Sequence, residues 1–198
     1  MTKRFFDVFF STTALFLFFW ILLIVWFMAC IDTRSNGLFL QKRIGQYGNV
    51  FKIYKFRTIQ IYQKLNETQI SRIGRLLRNY KLDELPQFIN VLKGEMSIVG
   101  PRPDIAGYYD LLSGEYRKIL ELKPGLTSLA SLKYYNEDQL LQKQAFPLSY
   151  NDEVIFPDKV QLNLYYYYKQ SIWIDLNIIG RTISYVLQKF IKKQNYFV

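Results

Sequence analysis

Residues 72–104 read RIGRLLRNYKLDELPQFINVLKGEMSIVGPRPD, and this stretch decides how the rest of the chain is read. Arg72, Arg75 and Arg78 recur every third position while Ile73, Leu76 and Leu77 fall on another side, which predicts a short amphipathic helix with one basic flank and one flank against a core. The basic flank is either a solvated face or a grip for phosphate. Next, KLDELPQ at 81–87 sets two carboxylates side by side. Pro86 is tolerated only in a first helical turn and Gly94 is a natural stop, so the pattern predicts a second helix with Asp83 as its N-cap. As a cap, Asp83 needs no further role. The same helix terminus, with Arg75, Arg78 and Lys81 close in sequence, also holds a carboxylate ionised and draws phosphate towards it. An ionised Asp83 beside a bound diphosphate is a candidate nucleophile, and Glu84 is a candidate ligand for Mg²⁺. The stretch closes on Gly100-Pro101-Arg102-Pro103, where two fixed φ angles flank one guanidinium. That loop is either a rigid turn or a preset fork for phosphate or a base edge.

The bulk numbers narrow the chemistry. The chain has 198 residues, 50% hydrophobic and 21% charged, which suffices for one compact domain and an appendage. It contains no histidine, so histidine bases, histidine-bearing triads and histidine metal sites are excluded, and chemistry falls to carboxylates, hydroxyls, Lys and Arg. The single cysteine, Cys30, lies in an apolar run. It excludes an intrachain disulfide and a thiolate metal cluster, and suits a reducing, cytoplasm-facing compartment. A formal charge of +10 calls for an anionic partner: nucleic acid, a phosphorylated small molecule or an acidic lipid surface. No recognition helix or RNP-like motif supports nucleic acid.

Upstream, VFFSTTALFLFFWILLIVWFMACI from Val8 to Ile31 holds no charge, Gly or Pro. At about 1.5 Å per residue this run is roughly 36 Å long as a helix, enough to enter or cross a bilayer, and too long for a signal peptide. Lys3 and Arg4 ask for the cytoplasmic side, and so do Arg34, Lys42, Arg43, Lys52, Lys55 and Arg57 beyond the run. A helix that enters the leaflet and turns back satisfies both flanks, with Asp7 near the headgroups; simple spanning is the rival arrangement. Downstream, NVFKIYKFRT at 49–58 predicts a short strand or irregular extended piece. The closing segment SIWIDLNIIGRTISYVLQKFIKKQNYFV mixes aromatics and aliphatics with Arg181, Lys189, Lys192 and Lys193, which fits either an interfacial helix or an ordinary packing helix. Four tyrosines at 165–168 cannot all face one way, and some are expected at a headgroup layer.

The ordered set FKIYKFRT, the 72–104 stretch and KPGLT, behind one apolar N-terminal segment, resembles the bacterial sugar transferases called monotopic phosphoglycosyl transferases. The likeness runs from about Lys3 to about Thr182 and suggests the small catalytic-core form. It implies a mostly helical, mixed α/β fold, with a membrane-embedded, re-entrant segment at residues 1–31. Residues 32–198 would form a cytoplasmic catalytic domain with short strands and membrane-surface helices. It implies transfer of a sugar-1-phosphate from a UDP-sugar to polyprenyl (undecaprenyl) phosphate with Mg²⁺. The products are a polyprenyl-diphospho-sugar and UMP, on the cytoplasmic face of a bacterial inner membrane containing anionic lipids. This is the first membrane step of a capsule, exopolysaccharide, lipopolysaccharide or glycoprotein glycan. By the same likeness Asp83 is the nucleophile and Glu84 the metal ligand, while Lys55, Arg57, Arg78, Pro101, Arg102 and Pro103 bind substrate.

Three departures stand out against the family pattern. A Ser-Pro helix break is replaced by Phe19 and Trp20, which leaves Ser11, Thr12 and Thr13 as the polar residues able to bend the helix. Thr127, Ser128, Leu129, Ala130 and Ser131 follow KPG where the family has Thr-Gly and then glutamine, and Asn163 stands where the family has an aspartate. These departures motivate the alternative of an inactive member that binds nucleotide sugar or serves as a scaffold. A purely structural anchor would leave the packed charged motifs without a reason.

Overall fold

The computed structural model describes residues 2–62 and 67–194, and within them the chain is mostly helical with three two-stranded sheets, a mixed α/β architecture. The residues gather into two compact units. One takes the chain up to Lys42, then Phe51–Met96 and the segment from Val186 onward; the other takes Arg43–Val50 and Ser97–Tyr185.

The first unit holds α1 (Thr2–Leu17), α2 (Phe19–Thr33), β1 (Leu38–Ile44), β2 (Val50–Phe56), β3 (Ile59–Tyr62), β4 (Glu67–Ile70), α3 (Arg72–Asn79) and α4 (Gln87–Lys93), with the β1–β2 tip assigned to the second. The extended piece expected at 49–58 is strand β2, paired with β1. Strands β3 and β4 form an antiparallel ladder from Ile59 opposite Ile70 to Tyr62 opposite Glu67. The core joins Val25 and Ala29 of α2 to Phe56 of β2 and Leu77 of α3, with Ile73 and Leu82 packed against them. The basic helix therefore exists as read, with one correction. Its buried face is Ile73, Gly74 and Leu77, so the 3.6-residue period turns Leu76 away, and it stays 41% exposed.

The apolar run is two helices, not one. They meet at Phe18 (φ −94, ψ 8) with a bend of 67°. The expected bend at Ser11–Thr13 is not found, because those residues lie inside α1 and Ser11 is fully buried. Phe18 makes the break by adopting a ψ near zero, while its N–H still donates to Ala14 O (2.9 Å) and its carbonyl accepts from Leu22 N (2.8 Å). Among the described residues no single helix is long and apolar enough to cross a membrane; the bent pair meets that length and composition only together. Helix α1 also packs on protein. Asp7, Ser11 and Ala14 are buried, and α1 lies along α4 with Phe10 and Phe88 ring centroids 6.4 Å apart. Arg4 donates to Val91 O (2.5 Å) and Leu92 O (2.7 Å), setting a cation on the carbonyl end of α4. The opposite face of the bent pair is apolar and exposed at Phe5, Phe16, Trp20, Ile24 and Phe27.

The second unit holds β5 (Ser97–Val99), β6 (Gly125–Thr127), α5 (Leu129–Lys133), α6 (Glu137–Gln142), α7 (Pro147–Tyr150), α8 (Phe156–Lys169) and most of α9 (Ile172–Gln194), with a 3₁₀ helix at Gly114–Glu121. Strands β5 and β6 run parallel, Ser97 opposite Gly125 and Val99 opposite Thr127. Just past β5 the backbones touch. A Cβ on Gly100 would sit 2.2 Å from Lys123 O, and one on Gly125 would sit 2.1 Å from Gly100 N, so only glycine fits either place. The core gathers Ile44, Tyr109, Ile119, Leu120 and Val160.

The tyrosine run is mostly occupied by the protein itself. Tyr166 is buried and donates to Asp175 (2.5 Å), Tyr167 donates to Glu121 (2.6 Å), and Tyr168 donates to Glu115 (2.7 Å), which leaves Tyr165 exposed on the far side. Helix α9 buries Asp175, Ile178 and Ile179 and exposes Trp173, Leu176, Ile183 and Leu187, so it is a packing helix that also carries an apolar outer stripe. Lys192 and Lys193, assigned by sequence to a membrane face, have side chains outside the described residues.

Candidate active site

Strand β2 delivers Lys55, and Arg57 and Thr58 follow it before β3 begins. Ser71 starts α3 as its N-cap, its Oγ accepting from Gly74 N at 2.7 Å. Gly74 lets α3 settle on the Thr58 peptide: a Cβ there would lie 2.2 Å from Thr58 O. One turn later Arg78 Nε donates to Thr58 Oγ1 at 2.8 Å. After Tyr80 the chain reverses through Lys81, a non-glycine residue in the left-handed region (φ 57), and enters a 3₁₀ turn at Leu82–Glu84. That turn runs straight on, because Phe88 N donates to Leu85 O (3.1 Å) and Ile89 N to Pro86 O (3.0 Å).

Asp83 is therefore not the cap of α4. Pro86 occupies the N-cap position and no side chain caps the helix. The competing device is the Lys81 reversal, which moves the acid pair one turn ahead of α4. Asp83 is 7% exposed, and its Oδ1 is buried with no hydrogen-bond partner among the described residues. An orphaned, buried carboxylate oxygen is costly, and the cost is not offset by any structural service to the helix. Glu84 accepts from Lys55 Nζ at 3.3 Å, and both side chains are largely shielded from solvent (13% and 18% exposed).

The electrostatics also correct the expectation that nearby cations simply hold Asp83 ionised. Burial, and then the Glu84 carboxylate beside it, push the Asp83 carboxyl above the usual carboxylate range; Lys55, Lys81 and Arg78 pull it down without prevailing. Arg75 is not among these groups. Two adjacent carboxylates, one with an unpartnered oxygen, are hard oxygen donors. That donor set fits Mg²⁺, which takes one or two protein carboxylates and fills its remaining positions with phosphate and water. Among the described residues no group of three or more His, Cys, Asp or Glu side chains forms a fuller cage.

The predicted site residues sort into three places. Lys55, Arg78, Asp83 and Glu84 come together, with Lys81 added as a third cation acting on Asp83. Arg57 is turned elsewhere: its Nε donates to Asn36 O (3.3 Å), its Nη2 to Leu38 O (3.5 Å), and it lies 5.6 Å from the Phe39 ring centroid. Pro101, Arg102 and Pro103 belong to the second unit, where the loop is tied at both ends. Gly125 N donates to Pro101 O (2.8 Å), and Ile44 N donates to Asp104 O (2.9 Å). Pro101 is buried, and Arg102 and Pro103 are half-buried beside Tyr109, Ile119 and Leu120. The backbone of the loop is thus anchored on either side of Arg102.

The departures from the family pattern have structural occupations. Asn163 is 1% exposed and donates to Tyr109 Oη (2.8 Å). Ser128 caps α5 by accepting from Ser131 N (2.9 Å), and Thr127 shares a hydroxyl hydrogen bond with Thr182 (2.7 Å). Sequence reasoning missed two contributors to the site's frame. Asn90, fully buried, accepts from Tyr54 N (3.1 Å) and donates to Lys52 O (2.7 Å) and Glu95 Oε2 (2.7 Å), lacing β2 to α4. Thr58 is the other. The spacing of Asp7, Ser11 and Ala14 within an otherwise aromatic helix was the legible sign that α1 has a protein-facing side.

The chain matches the family model described as "Bacterial sugar transferase" over residues 1–189. It is 32% identical, over 98% of its length, to the UDP-glucose:undecaprenyl-phosphate glucose-1-phosphate transferase of Klebsiella pneumoniae, of which it spans 41%. It is 29% identical, over 95% of its length, to the UDP-N-acetylgalactosamine-undecaprenyl-phosphate N-acetylgalactosaminephosphotransferase of Aeromonas hydrophila, of which it spans 44%. It is 33% identical, over 91% of its length, to the exopolysaccharide production protein PSS of Rhizobium leguminosarum bv. phaseoli, of which it spans 92%. The chain thus covers under half of the first two relatives and nearly all of the third.

Proposed function

This chain belongs to the bacterial sugar transferase family, and on that premise we propose that it moves a sugar-1-phosphate from a UDP-sugar to undecaprenyl phosphate, giving undecaprenyl-diphospho-sugar and UMP. The observation that carries this reading is the Asp83 carboxylate: buried, unpartnered at Oδ1, useless as a cap, and surrounded by Lys55, Lys81 and Arg78. That carboxylate is the nucleophile. It attacks the β-phosphorus of the UDP-sugar; an Asp83–phosphorus bond forms, the bond to the bridging oxygen breaks, and UMP leaves with the electron pair. An oxygen of undecaprenyl phosphate then attacks the same phosphorus and releases Asp83. Arg78 and Lys55 orient the anionic substrates and offset the charge that develops. Glu84, with Asp83, would hold Mg²⁺, which when bound supplies positive charge to the phosphate oxygens.

The bent pair α1–α2 is read as a hairpin that enters the cytoplasmic leaflet of a bacterial inner membrane and returns. Support comes from its exposed apolar face, and from the basic residues that flank it at both ends, Lys3 and Arg4 before it and Arg34 and Lys42 after it, which favour the same side of a membrane. The lipid substrate is then met at the surface where it resides, and anionic lipids suit the net charge.

The test is UMP release from UDP-glucose, UDP-galactose, UDP-N-acetylglucosamine and UDP-N-acetylgalactosamine, each with undecaprenyl phosphate and MgCl₂. At least one donor is expected to give turnover. With that donor alone, rapid quenching should show about one UMP per active enzyme and a sugar-phosphate adduct on Asp83. Turnover without burst or adduct would replace the covalent route by direct transfer. Silence on all donors, with UDP-sugar still bound, would favour an inactive nucleotide-sugar-binding member.

A further inference from the structure

Arg78 presents a contradiction that its neighbour resolves. It lies on the exposed flank of α3, where a long basic side chain ordinarily samples many rotamers, yet the proposed chemistry asks it to meet phosphate in one geometry. Thr58 is 5% exposed, and its Oγ1 accepts the Arg78 Nε–H at 2.8 Å. The two Nη groups have no partner among the described residues. A guanidinium held by Nε alone has its plane set and its outer edge open, which is the arrangement a bidentate contact to phosphate requires. The backbone enforces the same register, since Gly74, one turn before Arg78, brings α3 onto the Thr58 carbonyl with no room for a Cβ. Thr58 also follows Lys55 by three residues, so one short segment sets two of the three cations that act on Asp83.

We propose that Thr58 is a positioning residue: through the Nε hydrogen bond it fixes the Arg78 guanidinium as a two-pronged donor for a phosphate of the UDP-sugar. This rests on the transferase reading above. Thr58 itself touches no substrate and contributes no proton.

The experiment is steady-state UMP release with UDP-glucose and UDP-N-acetylgalactosamine, at saturating undecaprenyl phosphate, for wild type, Thr58→Val, Thr58→Ser, Arg78→Ala and Thr58→Val/Arg78→Ala. Thr58→Val keeps the shape and removes the acceptor. Its KM for the donor is expected to rise about five- to tenfold with kcat changed less than about twofold, while Thr58→Ser restores wild-type KM. The double variant is expected to match Arg78→Ala alone, because the hydroxyl has nothing left to orient. Normal KM in Thr58→Val, with Arg78→Ala impaired, overturns the role of Thr58 and leaves that of Arg78. Normal KM in both overturns the phosphate reading of Arg78 and the proposal with it. An additive loss in the double variant, or a failure of Thr58→Ser to rescue, reduces Thr58 to a packing residue. Thermal melting of each variant separates these outcomes from a folding defect.

Discussion

Replacing Asp83 by Asn should make the protein more stable while abolishing its activity. The substitution keeps the size of the side chain and disturbs no cap, since Asp83 caps neither the Leu82–Glu84 turn nor α4. It removes a charge from a place where burial and Glu84 both disfavour it. The native state holds the Asp83 proton more tightly than the unfolded chain does, so this group costs stability as pH rises through its raised value. That cost grows as pH rises above the unfolded aspartate value towards the raised native one, and below the unfolded value it is absent. A buried polar group left without a partner, as Asp83 Oδ1 is, typically costs about 1–3 kcal/mol. A gain of about 1–2 kcal/mol at pH 7 is expected for Asp83→Asn, which for a chain of this size is a Tm increase of about 2–8 °C. The advantage should shrink as pH falls towards about 4. Adding MgCl₂ should also shrink it, by stabilising wild type alone: tenfold excess over Kd is worth about 1.4 kcal/mol. UMP release should fall by more than about a thousandfold. The assay is thermal melting in detergent micelles with and without MgCl₂, paired with the UMP assay. A variant that melts lower than wild type at pH 7 without Mg²⁺ would falsify the argument, because Asp83 would then be a structural group whose charge is satisfied.

Other perturbations probe the frame and the surroundings. Asn90→Ala leaves Tyr54 N, Lys52 O and Glu95 without their shared partner, so a loss of about 2–4 kcal/mol in denaturant melts is expected, and a loss within about 0.5 kcal/mol would remove its role as a lace. Asp158 is held below the usual carboxylate range by hydrogen bonds from Lys133 first and then Tyr134. Its contribution is therefore complete above the unfolded aspartate value and is lost as pH falls through the lower native one. Asp158→Asn should lose about 0.2–1 kcal/mol at pH 7 and draw closer to wild type as pH falls below the unfolded aspartate value, a convergence that melts across pH would reveal or deny. Arg102→Lys keeps charge and gives up the planar fork, so donor KM should rise about tenfold, and unchanged kinetics would return Pro101–Pro103 to the status of a turn. In a Cys30→Ser background, single cysteines at Thr2 and at Ser35 should both react with an impermeant thiol reagent only after the cytoplasmic face is opened; labelling of position 2 from outside would establish a spanning helix.

The acid pair, the basic helix and the strand bearing Lys55 were legible because each is tied to local punctuation: Pro86, Gly94 and the spacing of Arg72, Arg75 and Arg78. What the one-dimensional pattern hid is set by chain reversals and close approaches. Lys81 takes a left-handed backbone that nothing in its side chain advertises, and this alone converts Asp83 from a cap into a buried, unpartnered carboxylate. Arg57 reads as a phosphate ligand by its neighbours, yet two backbone carbonyls of the β1 approach lie within its reach. Phe18 breaks the apolar helix without proline or glycine, so residue preference could not locate the bend. Thr58 and Asn90 act through partners about twenty or more positions away, beyond what helix and strand periodicity can register.

The clamp of Arg4 on the last carbonyls of α4 bears on how this protein can be engineered. An exposed apolar N-terminal segment is often treated as a handle to be cut away for a more soluble product. Here excision before Asp32 would remove the Arg4 hydrogen bonds to the last carbonyls of α4, remove Phe10 from Phe88, and take Val25 and Ala29 from the packing around Phe56 and Leu77, the floor on which α3 and the acid pair are built. Solubilisation has to proceed by repainting. Polar residues at Phe5, Phe16, Trp20, Ile24 and Phe27 would alter only the outward side, whereas Arg4, Asp7, Ser11 and Ala14 must be inherited unchanged.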